Sequence, residues 1–122
     1  MDLVEAIPEK LAHHIRGELK HGELLMILLS ADIRADGQYG DSWFALTDER
    51  LIVFQPQGND QVDIRHILLD QVERIQVRNY VGSGALLVEL ENETVELVRF
   101  SPSAYFKFSS VPQAVEATGL TR

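Results

Sequence analysis

Apolar and polar residues alternate in short runs after residue 40, a pattern that favours β-strands. Two apolar runs, 43–47 and 51–54, flank the polar corner 48–50, and this arrangement is typical of a tight β-hairpin. Residues 62–68 and 74–78 alternate with a period of two, as in half-buried strands. Short polar turns separate the runs, which indicates an antiparallel meander. Strands are predicted at about residues 23–33, 42–47, 50–55, 61–68, 72–81, 85–91 and 94–100.

Helical spacing is confined to the two ends of the chain. Apolar residues recur every fourth position from Ile7, and Pro8 suits a first helical turn, which predicts a helix at about 8–16. Ser101-Pro102 is a helix-start signal for a second helix at about 102–118. Its apolar face is predicted to cover one end of the sheet, with a kink or break near Pro112; the face consists of Ala104, Phe108, Val111 and Val115. The predicted fold class is mainly β (α+β), a seven-stranded antiparallel barrel or sandwich in one domain, 1–122.

Composition narrows the classes of partner. The chain has 11 Lys and Arg against 19 Asp and Glu, a net charge of −8, and no basic cluster, which disfavours nucleic acid and anionic membranes. It contains no cysteine, so disulfides and thiolate chemistry are excluded. The longest apolar run, 24–29, is far shorter than the ~20 residues of a membrane-spanning helix. The sequence therefore predicts a soluble domain without an export signal.

No set of residues has the spacing of a catalytic, cofactor or metal site. His13, His14 and His21 lack the spacing of a zinc site, and His66 is expected in the core or at its rim. Three aspartates around one turn, Asp32, Asp36 and Asp41, do not follow a calcium-loop pattern. The run 82–84, Gly-Ser-Gly, precedes a strand and not the helix that a phosphate loop requires. The sequence predicts no enzyme activity, no cofactor and no metal.

Aromatic residues supply the candidate interaction surfaces. Tyr39, Trp43 and Tyr80 could form an exposed patch, although packing of Trp43 inside the barrel is favoured. Tyr105 and Phe106 lie beside the apolar face of the last helix, and we expect them to form a partner-binding or dimer surface. A second candidate is a ligand loop that comprises Arg34, Asp36, Tyr39 and Asp41.

Several segments resemble a known family. The run S-W-F-A-L-T-D-E-R-L-I-V-F (42–54) resembles the hairpin of bacterial PH-like domains. The longer run 31–54, then V-G-S-G-A-L-L-V-E-L (81–90), E-L-V-R-F-S (96–101) and Lys107-Phe108, is similar to the cytosolic module that precedes the membrane domain in a group of bacterial ABC exporters. The resemblance extends from about residue 7 to 117.

This resemblance implies a PH-like barrel that is closed at one end by the C-terminal helix. It implies a non-catalytic adaptor or regulatory module, excised from an exporter, that binds protein: other transporter domains or a second copy. ATP binding would belong to the parent protein only, because the chain has no G-x-x-x-x-G-K-[ST] loop. The implied location is the cytoplasmic face of the inner membrane, with membrane association only through the parent protein.

The resemblance also departs from the lipid-binding members of the superfamily. The loop 34–41 has one arginine against two aspartates, so no direct phosphoinositide binding is expected. The alternative function is a barrel that binds a small molecule or lipid. An interior filled by side chains would exclude it; the residues expected there are Leu24, Met26, Leu28, Trp43, Leu51, Val53 and Leu87.

Overall fold

The computed structural model describes residues 4–34 and 36–122. Helix α1 (Glu9–Glu18) is followed by seven strands and two short helices. The strands are β1 (Leu25–Ile33), β2 (Tyr39–Thr47), β3 (Arg50–Pro56), β4 (Val62–Leu68), β5 (Arg74–Tyr80), β6 (Ser83–Glu89) and β7 (Thr94–Phe100). A 3₁₀ turn (Leu69–Gln71) lies between β4 and β5, and a second (Pro102–Ala104) leads into α2 (Tyr105–Phe108) and α3 (Val111–Ala117).

The strands form one antiparallel sheet in the order β4-β3-β2-β1-β7-β6-β5. The predicted fold class is confirmed: the chain is mainly β, with a helix at each end. The sheet, however, is not closed into a barrel, since β4 and β5 lie at opposite ends of the strand order. Strands β1 and β7 pair only at Ile33 and Arg99, so the sheet opens into two halves.

The main core fills the space between these two halves. Buried side chains from β1, β2 and β3 face buried side chains from β5, β6 and β7. Phe108, Val111 and Val115 enter this core from the C-terminal helices, as the sequence predicts. Pro112 lies in the first turn of α3, where its missing N–H leaves no helical hydrogen bond unmade.

Trp43 is buried, but the expectation that it packs inside the barrel is wrong. It is only 5% exposed and belongs to a second apolar cluster on the opposite face of β1–β3. Helix α1 covers this face with Leu11 and Ile15. The period-two pattern does not distinguish the two faces when both are apolar, and here both faces of the central strands are buried.

Two predicted strands differ from the observed ones in burial. The first was expected to begin at Glu23, but β1 begins at Leu25, and Leu24 is exposed. The strand at 61–68 was expected to be half-buried, whereas five of the seven residues of β4 are exposed. β4 is an end strand, and its two partly buried residues, Val62 and Ile67, pack against different core clusters, so its alternation does not bring one side into a core.

One end of the sheet is organised by a buried arginine. Arg50 begins β3 and is 2% exposed, although the hairpin pattern suggested a polar corner. Its Nε donates to the carboxylate of Glu23 at 2.9 Å, and its Nη1 donates to Glu18 at 2.9 Å. Its Nη2 also donates to the backbone carbonyl of Glu18 at 2.8 Å. A single guanidinium therefore joins the end of α1 and the segment before β1 to the β2–β3 hairpin.

Thr47 and His66 add further hydrogen bonds to the Arg50–Glu23 pair. Glu23 accepts a hydrogen bond from the hydroxyl of Thr47 at 2.6 Å. His66, on β4, accepts from Nη1 of Arg50 through Nδ1 at 2.6 Å, since an arginine can only donate. Hydrogen bonds from Arg50 outweigh the effect of burial and lower the pKa of Glu23 to about 2. The Arg50–Glu23 pair is therefore charged and satisfied.

We predict that Arg50→Met destabilises the protein by about 3–5 kcal/mol, because it leaves the buried Glu23 carboxylate without its cation. Urea unfolding measures the free energy. The control is Arg74→Met, which removes an exposed ion pair with Glu89 at 3.8 Å and is expected to cost under about 1 kcal/mol. Equal losses for the two variants would show that the buried cluster has no special role.

Candidate binding surfaces

Helix α2 is held in one orientation by two side chains. Phe108 is fully buried, and its ring stacks on that of Phe100 at 4.5 Å between centroids. Lys107 donates to the carboxylate of Glu5 at 2.7 Å and lies 3.0 Å from the hydroxyl of Ser30. These contacts fix two sides of a four-residue helix, so Tyr105 and Phe106 are left facing outward.

We use the name α2 surface for four exposed residues of α2 and of the β5–β6 turn next to it: Tyr80, Val81, Tyr105 and Phe106. Phe106 is 63% exposed and Val81 is fully exposed. Tyr80 and Tyr105 line the same groove of about 300 Å³, between the β5–β6 turn and the start of the C-terminal helices. The guanidinium of Arg99 lies 5.0 Å from the ring centroid of Tyr80, within cation–π distance.

The floor of this groove requires a glycine. A Cβ atom at Gly84 would lie 2.5 Å from a ring carbon of Phe100, which is closer than van der Waals contact permits. Phe100 can therefore pack flat against β6 and also stack on Phe108. The groove is built on the same ring that anchors α2.

A larger groove, which we call the α1 groove, lies between α1 and the β3–β4 turn. Its volume is about 640 Å³, and Trp43 and Leu11 contribute apolar walls. The turn is held against the helix by a hydrogen bond between Nε2 of His14 and the carbonyl of Asp60, at 3.1 Å. The lining comprises Pro8, Lys10, Leu11, His13, His14, Asp41, Trp43, Pro56, Gln57, Gly58, Asn59, Asp60, Gln61 and Val62.

Of the predicted ligand-loop residues, Arg34 and Asp36 lie together, with Nε of Arg34 4.0 Å from Oδ2 of Asp36. The guanidinium of Arg34 donates to the carbonyl of Pro56 at 2.8 Å and to the side chain of Gln57 at 3.2 Å. Its methylene groups cross Gly40, where a Cβ would lie 2.6 Å away. Arg34 thus supports the turn that forms the α1 groove. Asp41 lines this groove, whereas Tyr39 is 83% exposed, and Asp36 accepts a hydrogen bond from the N–H of Gln38 within its own turn.

Two groups of titratable residues that the sequence singles out make structural contacts. Asp32, assigned to a turn by its sequence context, accepts hydrogen bonds from the N–H and hydroxyl of Ser101 and so joins β1 to the C-terminal segment. The rings of His13 and His14 lie edge to face, 5.9 Å apart. Among the described residues, no three His, Asp or Glu side chains are grouped as metal ligands. In the same part of the chain, no helix has the length and apolar character needed to cross a membrane.

Local sequence reasoning missed the contacts that Arg50 and Lys107 make. Glu23 and Glu18 lie 27 and 32 residues before Arg50, and Glu5 lies 102 residues before Lys107. The available signal was an arginine directly before the apolar run 51–54, with several acidic residues earlier in the chain. The local spacing of residues cannot predict contacts between residues that are so far apart in the sequence.

An open antiparallel sheet in two halves, with a C-terminal helix packed into one end, defines a pleckstrin-homology-like fold. The sequence profile of the family described as "Bacterial PH domain" matches residues 19–118. The chain therefore belongs to the bacterial PH domain family.

Solved structures support the same fold. A DUF1696 family protein with a pleckstrin-homology domain from Shewanella loihica PV-4 is 15% identical, with a TM-score of 0.58 over 95% of this chain and 100% of that one. A pleckstrin homology domain from Shewanella amazonensis SB2B is 19% identical, with a TM-score of 0.57 over 92% of this chain and 87% of that one. A search of curated proteins finds no match. At these identities the likeness concerns the fold alone.

Proposed function

We propose that this domain is a non-catalytic adaptor or regulatory module that binds protein through the α2 surface. The observation that carries the proposal is the orientation of α2. Phe108 and Lys107 are held by the core and by Glu5, and this leaves Tyr105 and Phe106 to face outward on a rigid support. Exposed aromatic side chains on a fixed backbone lose little entropy on binding, and Tyr, Trp and Phe are enriched at protein–protein interfaces.

The most strongly perturbed carboxylate of the described residues is not placed for catalysis. Among the residues described, the carboxylate with the most strongly lowered pKa is Glu23, and it is paired with Arg50 in the interior. A general acid or base needs access to substrate, which this buried pair lacks. The exposed features that are left for function are apolar surfaces and grooves.

We predict that Phe106→Ser weakens partner binding about tenfold or more, as expected for a central aromatic contact. The purified chain is immobilised, retained proteins from cells of the source are identified by mass spectrometry, and the Kd of each purified candidate is then titrated. Thermal unfolding should be unchanged, because Phe106 is exposed.

Leu24→Ser is the matched control, since Leu24 is also 63% exposed but lies just before β1, outside the α2 surface. A partner that depends on Phe106 and not on Leu24 supports the proposal. Capture of no protein, or equal binding to wild type and both variants, contradicts it.

The proposal includes a context in a larger protein, which rests on the resemblance to the cytosolic module of bacterial exporters. The prediction is that the full reading frame encodes transmembrane helices and a G-x-x-x-x-G-K-[ST] loop after this domain. Sequencing the complete gene measures this directly. A reading frame that ends without either feature removes the exporter context and leaves the binding role to be tested on its own.

A second candidate function is binding of a small molecule or lipid. The described main core is filled with side chains, including Leu51 and Val53, which argues against a ligand inside the sheet. The observation that favours this function is the α1 groove, whose volume of about 640 Å³ lies within the ~300–1,000 Å³ common for ligand sites. Trp43, the only tryptophan of the chain, lines it and can report binding.

We predict that the apolar dye 1-anilinonaphthalene-8-sulfonate quenches Trp43 fluorescence saturably, and that Gly58→Phe weakens this binding about tenfold by filling the groove. A Cβ at Gly58 meets no atom within 4 Å, so the variant should fold. Gly17→Phe, also in open space but outside the groove lining, is the control. Phosphatidylcholine vesicles, titrated in the same way, distinguish a lipid from a small ligand. Quenching unaffected by Gly58→Phe contradicts this function.

A further inference from the structure

Strand β4 ends the sheet and keeps one free edge. Within the described chain it pairs only with β3. Exposed apolar side chains lie along it: Ile64 and Leu68 are each 38% exposed. An unprotected edge strand of seven residues is a template for pairing with another strand.

The hydrogen bonds next to β4 show which of its backbone groups face outward. The N–H of Gln57 donates to the carbonyl of Gln61 at 2.7 Å, and the N–H of Leu69 donates to the carbonyl of Glu49 at 3.0 Å. Both pairs continue the β3–β4 register. Odd-numbered residues of β4 therefore bond to β3, and the even-numbered residues Val62, Ile64, His66 and Leu68 direct their N–H and C=O groups to the free edge.

The charges of β4 are complementary to themselves in one antiparallel register. With Ile64 opposite Ile64 of a second copy, Asp63 of each chain faces Arg65 of the other, on the same side of the strand. Shifting the centre to residue 63 places two aspartates opposite each other, and shifting it to residue 65 opposes two arginines. Opposite charges across strands stabilise pairing, whereas like charges oppose it.

Arg65 and Asp63 both keep hydrogen-bonding groups that could form this contact. Arg65 uses Nη2 to donate to the carbonyl of Leu97 at 2.9 Å, and four of its five N–H donors remain. Asp63 accepts from the side chain of Gln57 through Oδ2 at 2.9 Å, and a carboxylate has two oxygens. Residues 63 and 65 would form non-hydrogen-bonded pairs, in which side chains are closest.

We propose that two copies of this domain associate through antiparallel β4–β4 pairing, with Ile64 on the two-fold axis and two Asp63–Arg65 ion pairs beside it. The occupant of the edge is thus a second copy of this chain. The two-fold arrangement joins both sheets into one and covers Ile64. This surface is separate from the α2 surface, so either proposal can fail without the other.

Charge reversal tests the register. Asp63→Arg and Arg65→Asp should each weaken dimerisation about tenfold or more by opposing like charges, while an equimolar mixture of the two variants should restore it, because each supplies the charge that the other lacks. Sedimentation equilibrium of the purified chain follows the mass towards twice the 13.8 kDa of one copy. Concentrations up to about 1 mM are needed, since small interfaces are usually weak.

Control variants distinguish the loss of the β4–β4 interface from a general effect of charge and from a loss of folding. Glu93→Arg and Arg78→Asp make the same kinds of charge change at exposed positions elsewhere and should leave the dimer intact. Ile64→Pro removes an N–H that faces the free edge and not β3, so it should abolish the dimer while circular dichroism stays unchanged. A wild-type chain that stays monomeric, or a dimer that persists in Ile64→Pro or in both charge variants, overturns the proposal.

Discussion

The arrangement of the N-terminal half depends on the ion pairs that the buried guanidinium of Arg50 makes with Glu18 and Glu23. Arg50 binds Glu18 at the end of α1 and Glu23 before β1, and it is itself the first residue of β3. Replacing such a pair with apolar residues is often neutral for stability, whereas breaking it is costly. Its geometric effect is to fix where α1 lies on the sheet, and that position in turn covers Trp43 and forms one wall of the α1 groove.

The other end of the molecule is held by different means. The two halves of the sheet meet at a single β1–β7 pair, so the backbone alone does little to connect them. Phe108 and Val111 fill the space between the halves, while Asp32 and Ser101 join β1 to the chain that leads into α2. The contacts that hold the two halves together here also fix the position of α2, whose outer residues are exposed. The stability of the fold and the presentation of the α2 surface therefore depend on the same contacts.

The local sequence pattern was sufficient to predict the helices and strands, but not which of their side chains are buried or what those side chains contact. The hairpin around residues 48–50 and the alternation in β5 are properties of neighbouring residues, which the sequence shows directly. The burial of Arg50 depends on Glu23 and Glu18, and the side of the sheet on which Trp43 lies depends on α1. The exposure of β4 likewise follows from its place at the end of the strand order. Arg34 was a candidate for ligand contact because it lies in the loop between the first two strands. Its actual partners, Pro56 at the end of β3 and Gln57 in the next turn, are distant in sequence and were not predicted.

The two proposed contacts would act together because they occupy different parts of the molecule. The α2 surface lies at the β5–β6 turn and the start of the C-terminal helices, whereas β4 is the end strand of the other half of the sheet. A dimer through β4 would leave both α2 surfaces open and so present two equivalent sites to a partner. Two linked sites bind a repeated or dimeric partner far more tightly than one site does, without any new contact. A weak edge-to-edge dimer can therefore have a large effect on binding, provided that the spacing of the two sites matches the partner.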